Sequence, residues 1–284
     1  MSNSFDSQIE IAWCPGCGNF GILRALKGAL TELEFSPEEV VLVSGIGQAA
    51  KLPHYIAVNV FNGLHGRSIP VALAIKTVNP RLLVIAESGD GCMYGEGGNH
   101  FLHALRRNPD ITVIVHDNQV YGLTKGQASP TSEEGFVSKA QPWGNISTSL
   151  NPLSLAISQD ASFVARGFSG DVDRLKEIIK AALTWNGFSL VDVLQPCVTF
   201  NRVNTFAWYK ERVYYLEDSY QPEDRIRALE KSLEWGDKIP LGVIYRHQRP
   251  TFQDKIYSRI EKEDLIYRGI DFDDLLSREL KLFV

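Results

Sequence analysis

The stretch GDGCMYGEGGNH, residues 89–100, sets a single acid, Asp90, between two glycines at the end of an apolar run. A second polar residue, Asn118 in DNQVYGLT, ends the next apolar run. One strand–helix–strand step separates the two, so both can face a crevice beyond the strand ends of an open sheet. A carboxylate and an amide oxygen are hard ligands suited to Mg²⁺, which completes its shell with waters and phosphate oxygens. A helix opened by glycines 89, 91, 95, 97 and 98 offers free N–H groups and a positive dipole end to a phosphate. The constellation therefore predicts a magnesium–diphosphate site. The plain alternative is a tight turn whose aspartate caps a helix, and DNQVYGLT one step later favours the ligand reading. GEGGNH does not fit the dinucleotide pattern G-x-G-x-x-G, which would open the first strand–helix turn of the fold.

Thiols form the second candidate set. There are four cysteines, and Cys14 and Cys17 make a C-x-x-C in WCPGCG, while Cys92 and Cys197 stand singly. In a reducing compartment these are not expected to be structural disulfides. Alone, the pattern fits unrelated buried thiols, a redox dithiol or half of a zinc site. A zinc-ribbon module would repeat the pair, and here it occurs once.

These residues need elements to hold them. Apolar spacing predicts a helix over 18–35 with Asn19 as cap, a buried strand over 40–45, a helix over 68–78 and a strand then turn over 81–91. A helix over 95–108 stopped by Pro109 and a strand over 111–118 follow. Beyond lie a helix over 152–159, a strand over 161–167, a helix over 171–187 capped by Asp171 and ended by Gly187, and a strand over 188–196. Such alternation predicts an α/β fold: a doubly wound, mainly parallel sheet with helices on both faces. Residues 119–150 read as one long loop, a length usually tied to function. Residues 201–284 read as an extension, aromatic and charged in RVNTFAWYKERVYYLEDSY, rather than a second core.

Bulk properties exclude several classes. The 284-residue chain carries a formal net charge of −5, the wrong sign for general nucleic-acid binding. No run of 18 or more residues is purely apolar, so no membrane span is expected. MSNSFDSQIE lacks the basic start and apolar run of a signal peptide, which makes the cytoplasm the expected compartment.

The motifs taken in order resemble a known family. G-D-G followed by the N-x-V turn looks like the thiamine diphosphate signature. WCPGCG, LHGR, GDG…GGNHFLHALRRN, YGLTKGQASPTS and QPCVTFN together resemble the β subunit of 2-oxoacid:ferredoxin oxidoreductases. The resemblance covers residues 1–200, and PLGVIYRHQRPTF near the end is also family-like. It implies a thiamine diphosphate- and iron–sulfur-binding domain over 1–200, with 201–284 packing on it or on a partner subunit.

Position by position, the resemblance assigns Mg²⁺ to Asp90, Asn118 and the carbonyl of Val120. Gly91, Gly122 and Thr124 would hold the diphosphate, with Gly89 and Leu123 beside them. Gly45, Ile46, Gly47, His65 and Gly66 would line the same pocket. His65 is expected to touch phosphate or pyrimidine, the alternative being a hydrogen-bonded structural histidine. A [4Fe–4S] cluster is implied, with Cys14, Cys17 and Cys197 matching three of its usual ligands. The third position of the pattern is Gln48, an amide where thiolate is standard. The expected replacement is Cys92; a three-cysteine cluster or no cluster are the alternatives.

The implied reaction is oxidative decarboxylation of a 2-oxoacid, with coenzyme A taking the acyl group and ferredoxin the electrons. The glutamate that activates the thiamine pyrimidine comes from the α subunit in this family, so the chain is expected to be half of an active site. Lys125 beside the diphosphate turn, with Lys51 after the GIG loop, is expected to bind a second carboxylate, which favours 2-oxoglutarate over pyruvate or a broader range; the alternative is a solvated loop lysine. Arg67 is expected to contact phosphate or a neighbouring acid. The rival classes are a thiamine decarboxylase or carboligase without a cluster and an electron-transfer subunit without thiamine.

Overall fold

The computed structural model describes residues 4–259 together with 266, 280 and 281. Helix α1 (Asn19–Glu32) precedes strand β1 (Val40–Ser44), edge strand β2 (Asn59–Asn62) and helix α2 (Ser68–Val78). Strand β3 (Leu83–Gly89) leads through a π-helical turn (Gly91–Glu96) into α3 (Gly98–Arg107) and β4 (Thr112–Asp117). After the long loop come α4 (Pro152–Ser158), β5 (Phe163–Phe168), α5 (Val172–Leu183) and β6 (Ser189–Leu194). The chain continues through α6 (Phe206–Lys210), β7 (Val213–Tyr215), α7 (Arg225–Leu233), β8 (Ile239–Arg246) and α8 (Phe252–Tyr257).

The strands form one sheet in the order β2-β1-β3-β4-β6-β5-β8-β7. All neighbours run parallel except β5 and β8, which pair antiparallel with a register shift between Val164 and Ala165. Every residue of β1, β4, β5 and β6 is buried, because helices cover both faces. Alternate side chains feed two cores. Leu42, Ile85, Ile114 and Val191 pack under α1 and α5 with Leu26, Leu30, Ile178 and Ile179. Val43, Ala86, Val113 and Leu190 face the other way, among Ile69, Phe101, Leu153 and Ile157. Each such large aliphatic contributes about 1.5–3 kcal/mol when fully buried.

Caps define the helix ends, and three differ from expectation, α5 among them: it ends at Leu183 with Thr184 as its C-cap, short of Gly187. Asp171 accepts the Arg174 N–H at the start of α5, as predicted. Asn19 does not cap α1: it is buried, and its Oδ1 lies 2.8 Å from His116 Nδ1 beneath β4. Asn108, at φ 56°, stops α3 one residue before Pro109.

β2 was not expected, since NVFN is exposed throughout and carries no burial signal. Residues 206–257 lengthen the sheet through β8 and β7, with a small core of Phe168, Leu194, Tyr209, Ile239 and Leu241. The remainder of the 201–284 extension lies largely outside the described residues. Among the described residues no helix is long and apolar enough to cross a membrane.

The topology explains where a ligand can sit. From β1 the chain steps outward to β2, then returns to the other side of β1 as β3. The loops after β1 and β3 therefore part at a topological switch point, where such sheets open a crevice. GIG follows β1 and Asp90 follows β3.

Candidate functional site

Asp90 follows β3 with its side chain buried, and its Oδ2 accepts hydrogen bonds from Ser129 Oγ at 2.5 Å and Thr131 Oγ1 at 2.6 Å. Both hydroxyls come from the long loop, in ASPTS. Thr131 Oγ1 also lies 2.8 Å from Asp117 Oδ1, and Asp117 is itself buried. A hydroxyl has one hydrogen, so it cannot donate to two carboxylates. The consistent arrangement has Asp117 protonated and donating to Thr131, which donates to Asp90. Burial, then the Asp192 and Asp90 charges, hold Asp117 well above the usual carboxylate range. Burial also pushes Asp90 up to about 6, against the pull of its hydrogen bonds from Ser129 and Thr131. Among the described residues no cationic side chain forms an ion pair with Asp90.

Asn118 follows β4. Its Oδ1 accepts from Val120 N at 3.1 Å, and its Nδ2 donates to Gln195 Oε1 at 3.1 Å. Gln119, at φ 57°, turns the chain so that Tyr121 and Gln127 close a small loop over Gly122–Gly126. Val120 is buried, and its carbonyl accepts no hydrogen bond among the described residues. Thr124 Oγ1 donates to Gln127 Oε1 at 2.6 Å, and Lys125, at φ 78°, is exposed at the tip beside Leu123.

Across from this turn stands the GIG loop. A side chain on Gly122 would meet only Gln48, whose Cγ lies 3.9 Å away, and one on Gly47 would meet nothing within 4 Å. The two loops thus leave open space between bare backbone. Gly45 is different: a Cβ there would lie 2.4 Å from Cys92 Sγ.

The predicted magnesium set is consistent with these surroundings. Its donors are all oxygens, one being a buried carboxylate without a counter-cation and one a carbonyl without a donor. The structure places Asp90 and Asn118 on adjacent strand ends but engages their side chains with different protein partners.

His65 and Gly66 approach the same rim from β2. His65 Nδ1 lies 2.9 Å from Glu96 Oε2, and Tyr121 Oη donates to the same oxygen at 3.2 Å. Arg67 Nη1 donates to His100 Nε2 at 2.8 Å, and among the described residues it forms no ion pair with an acid. Lys51 is half-buried in the short helical segment after GIG.

The cysteines divide. Cys14 and Cys17 share a turn, Cys17 N donating to Cys14 O at 3.0 Å. Thr199 Oγ1 donates to Cys14 Sγ at 3.2 Å, and Gln195 Nε2 lies 3.6 Å from Cys17 Sγ, so the loop carrying Cys197 folds onto them. Burial, and to a lesser degree the neighbouring Cys197 and Cys14, push the Cys17 thiol up to about 11. Gln48 belongs to this neighbourhood, its carbonyl accepting from Trp13 Nε1 at 2.7 Å. Cys92 is used otherwise: it is buried, and its sulfur accepts the Gly66 N–H at 3.1 Å beneath Gly45. Among the described residues no three His, Cys, Asp or Glu side chains gather closely enough to hold a metal ion. Cys17 has Cys197 and Cys14 as its charged cysteine neighbours, and Cys92 is not among them.

Sequence reasoning missed Ser129, Thr131, Glu96 and Tyr121. The first two lie in a loop without periodicity, where only their small hydroxyls hinted at a role.

Comparison with known proteins narrows the class. Residues 43–193 match the family model for the C-terminal thiamine pyrophosphate-binding domain of thiamine pyrophosphate enzymes. Residues 197–259 match the C-terminal model of the pyruvate ferredoxin oxidoreductase β subunit. The fold and site thus define a thiamine pyrophosphate enzyme domain. A 2-oxoacid:ferredoxin oxidoreductase subunit β from Sulfolobus sp is 48% identical over 258 residues, 86% of this chain and 85% of that protein. Subunit β of 2-oxoacid:ferredoxin oxidoreductase 1 from Aeropyrum pernix is 46% identical, over 90% of this chain and 84% of its own. A solved structure of 2-oxoglutarate:ferredoxin oxidoreductase from Magnetococcus marinus, with 2-oxoglutarate, coenzyme A and succinyl-CoA bound, superposes with a TM-score of 0.90. It is 32% identical, with 96% of this chain and 94% of that one covered. The chain belongs to the β-subunit family of 2-oxoacid:ferredoxin oxidoreductases.

Proposed function

We propose that this chain, with an α subunit, catalyses the coenzyme A-dependent oxidative decarboxylation of a 2-oxoacid, 2-oxoglutarate in preference to pyruvate, and delivers electrons to ferredoxin. The observation that carries the reading is the buried Asp90 carboxylate, without a cation, at the switch point of a thiamine pyrophosphate-enzyme fold. Asp90, Asn118 and the Val120 carbonyl would hold Mg²⁺. The bare backbone of Gly47 and Gly122, with Gly45, Ile46, Gly89, Gly91, Leu123, Thr124 and Gly66 around it, would hold the diphosphate. When bound, thiamine diphosphate supplies the electron sink that decarboxylation of a 2-oxoacid requires.

The chain's own residues bind and orient. Ser129 and Thr131 keep the Asp90 carboxylate in place, and Gln195 keeps the Asn118 amide in place. Lys125 would meet the distal carboxylate of 2-oxoglutarate, and the bound ligand of the Magnetococcus marinus relative supports that substrate class. A [4Fe–4S] cluster would draw on Cys14, Cys17 and Cys197, a set short of the usual four thiolates. Cys92 is left to packing, and anaerobic iron and sulfide analysis of a Cys92→Ser variant checks that division. The α subunit would close the crevice and add the acid the chain lacks.

The test is a panel of 2-oxoacids with coenzyme A and a redox dye, using the enzyme purified with its partner subunit. The reading predicts coenzyme A-dependent dye reduction, fastest with 2-oxoglutarate. No reduction with any 2-oxoacid, in enzyme loaded with Mg²⁺ and thiamine diphosphate, would overturn it.

A further inference from the structure

A groove of about 780 Å³ opens between α1, the start of α5 and α6. Gly21 sets one wall: a Cβ there would lie 2.1 Å from the Ser169 carbonyl oxygen, so α1 rests directly on the chain that leaves β5. Phe20 and Phe206, both half-buried, give the groove an apolar lining. Cys17 lines it too, and shares its turn with the exposed Cys14. The loop carrying Cys197 folds onto that turn through Thr199 and Gln195.

The charges of the groove run against those of the chain. Its lining holds three cations, Arg24, Lys27 and Lys210, and one acid, Asp6, in a protein of net charge −5. Lys27 is satisfied by Asp6 at 3.0 Å. Arg24 and Lys210 are exposed, and among the described residues neither side chain forms an ion pair. Acids on the neighbouring turns are already engaged: Glu32 with Lys176 and Lys180, and Glu211 with Arg212. Unpaired cations around an apolar floor match the anatomy of a protein interface, an apolar centre within a polar rim. The small size suits a transient redox encounter, which lies at the low end of interface areas.

We propose that this groove is the docking surface for ferredoxin, taken as an acidic one-electron carrier protein. Carboxylates of the carrier would meet Arg24 and Lys210, and its apolar centre would cover Phe20, Phe206 and the Cys14–Cys17 turn. The positive field of the groove would steer the carrier towards it and reject basic partners. Docking there sets the carrier against the cysteines that the proposed function places in electron transfer. The inference rests on that reading, in which ferredoxin takes the electrons.

The experiment uses the enzyme assembled with its partner subunit and a ferredoxin of net negative charge. Calorimetry gives the Kd for ferredoxin, and steady-state assays compare its reduction with that of a small uncharged dye. The variants are Arg24→Glu/Lys210→Glu and a control, Arg106→Glu/Arg107→Glu. The control alters net charge equally, but on α3, whose Phe101 packs into the core of the other sheet face. The groove pair is expected to raise Kd and KM for ferredoxin about tenfold or more at low salt, with dye reduction unchanged. The difference should fade near about 1 M salt, where the Debye length falls to about 3 Å. Wild-type affinity in the groove pair, or an equal loss in the control, would overturn the proposal. Should the groove pair fail to assemble, Arg24→Gln/Lys210→Gln replaces it, with a smaller rise in KM and dye reduction intact. If that pair also sheds the partner subunit, the groove belongs to the subunit contact and the proposal fails. Turnover of 2-oxoacid with ferredoxin indifferent to the groove pair sinks the docking surface and leaves the functional reading standing. Salt-sensitive ferredoxin binding at the groove, with neither dye nor ferredoxin reduced by any 2-oxoacid, sinks the functional reading and leaves the docking surface standing.

Discussion

Gly45→Ala offers a quantitative test of how the GIG loop sits on Cys92. The added methyl would lie 2.4 Å from Cys92 Sγ, with Ser88 Oγ at 3.3 Å and the Leu64 carbonyl at 3.5 Å closing other directions. Non-bonded heavy atoms prefer about 3.5–4.0 Å, so the overlap exceeds about 1 Å and the loop or sulfur must move. Overpacking of this kind costs about 1–3 kcal/mol. In a domain somewhat above 200 residues that lowers Tm by about 2–4 °C per kcal/mol. Cys92→Ala removes the obstructing sulfur and, by itself, costs about 1 kcal/mol or less for the small void. The double variant Gly45→Ala/Cys92→Ala should then melt above Gly45→Ala, with a coupling of about 0.5–3 kcal/mol, as contacting residues show. The assay is thermal unfolding of the purified enzyme with iron content measured in parallel. A double variant melting at the sum of the two losses would refute the packing argument. Iron lost in proportion to Cys92→Ala would restore that cysteine as a cluster ligand.

Four further outcomes follow from the same geometry. In the metal-free protein Asp90 is held up at about 6 from 3.8, so the native state binds the extra proton between those values and its stability falls as pH rises through that window. Mg²⁺ must displace that proton, so apparent cofactor affinity measured by calorimetry should drop about tenfold per pH unit below 6 and level off above it. Thr131→Val strips a donor from a buried carboxylate and should destabilise the enzyme by about 1–3 kcal/mol in denaturant unfolding, whereas an unchanged midpoint would remove Thr131 from the account. Lys125→Ala should raise KM for 2-oxoglutarate and leave pyruvate kinetics nearly unchanged; equal losses on both substrates would disconnect the lysine from the distal carboxylate.

The strands that carry the site were legible because burial on both faces writes them as short apolar runs: VVLVS, LVIAESG and TVIVHD stand out against any background. β2 was not, because an exposed edge strand has no core to satisfy. β8 was obscured by Pro240 and Gly242 inside its run, and its antiparallel pairing breaks the strand–helix rhythm that exposed the others. The position of Asp90 and Asn118 just beyond two neighbouring parallel strands was readable from spacing alone. The partners that set their chemistry were not, since Ser129 and Thr131 reach Asp90 from a loop whose path no local pattern dictates. Asn19 misled for the opposite reason: its type and position suit a cap, but the pull of buried His116 decides where its amide goes. Glu96 reads as one more polar residue among glycines until the fold sets His65 against it.

The most direct test of the central claim is calorimetric titration of thiamine diphosphate into the metal-stripped enzyme, with and without Mg²⁺, for wild type and Asp90→Ala. The account predicts binding by wild type that depends on Mg²⁺ and is lost in the variant, with folding retained. Equal binding by the two proteins, or wild-type binding indifferent to Mg²⁺, would contradict it.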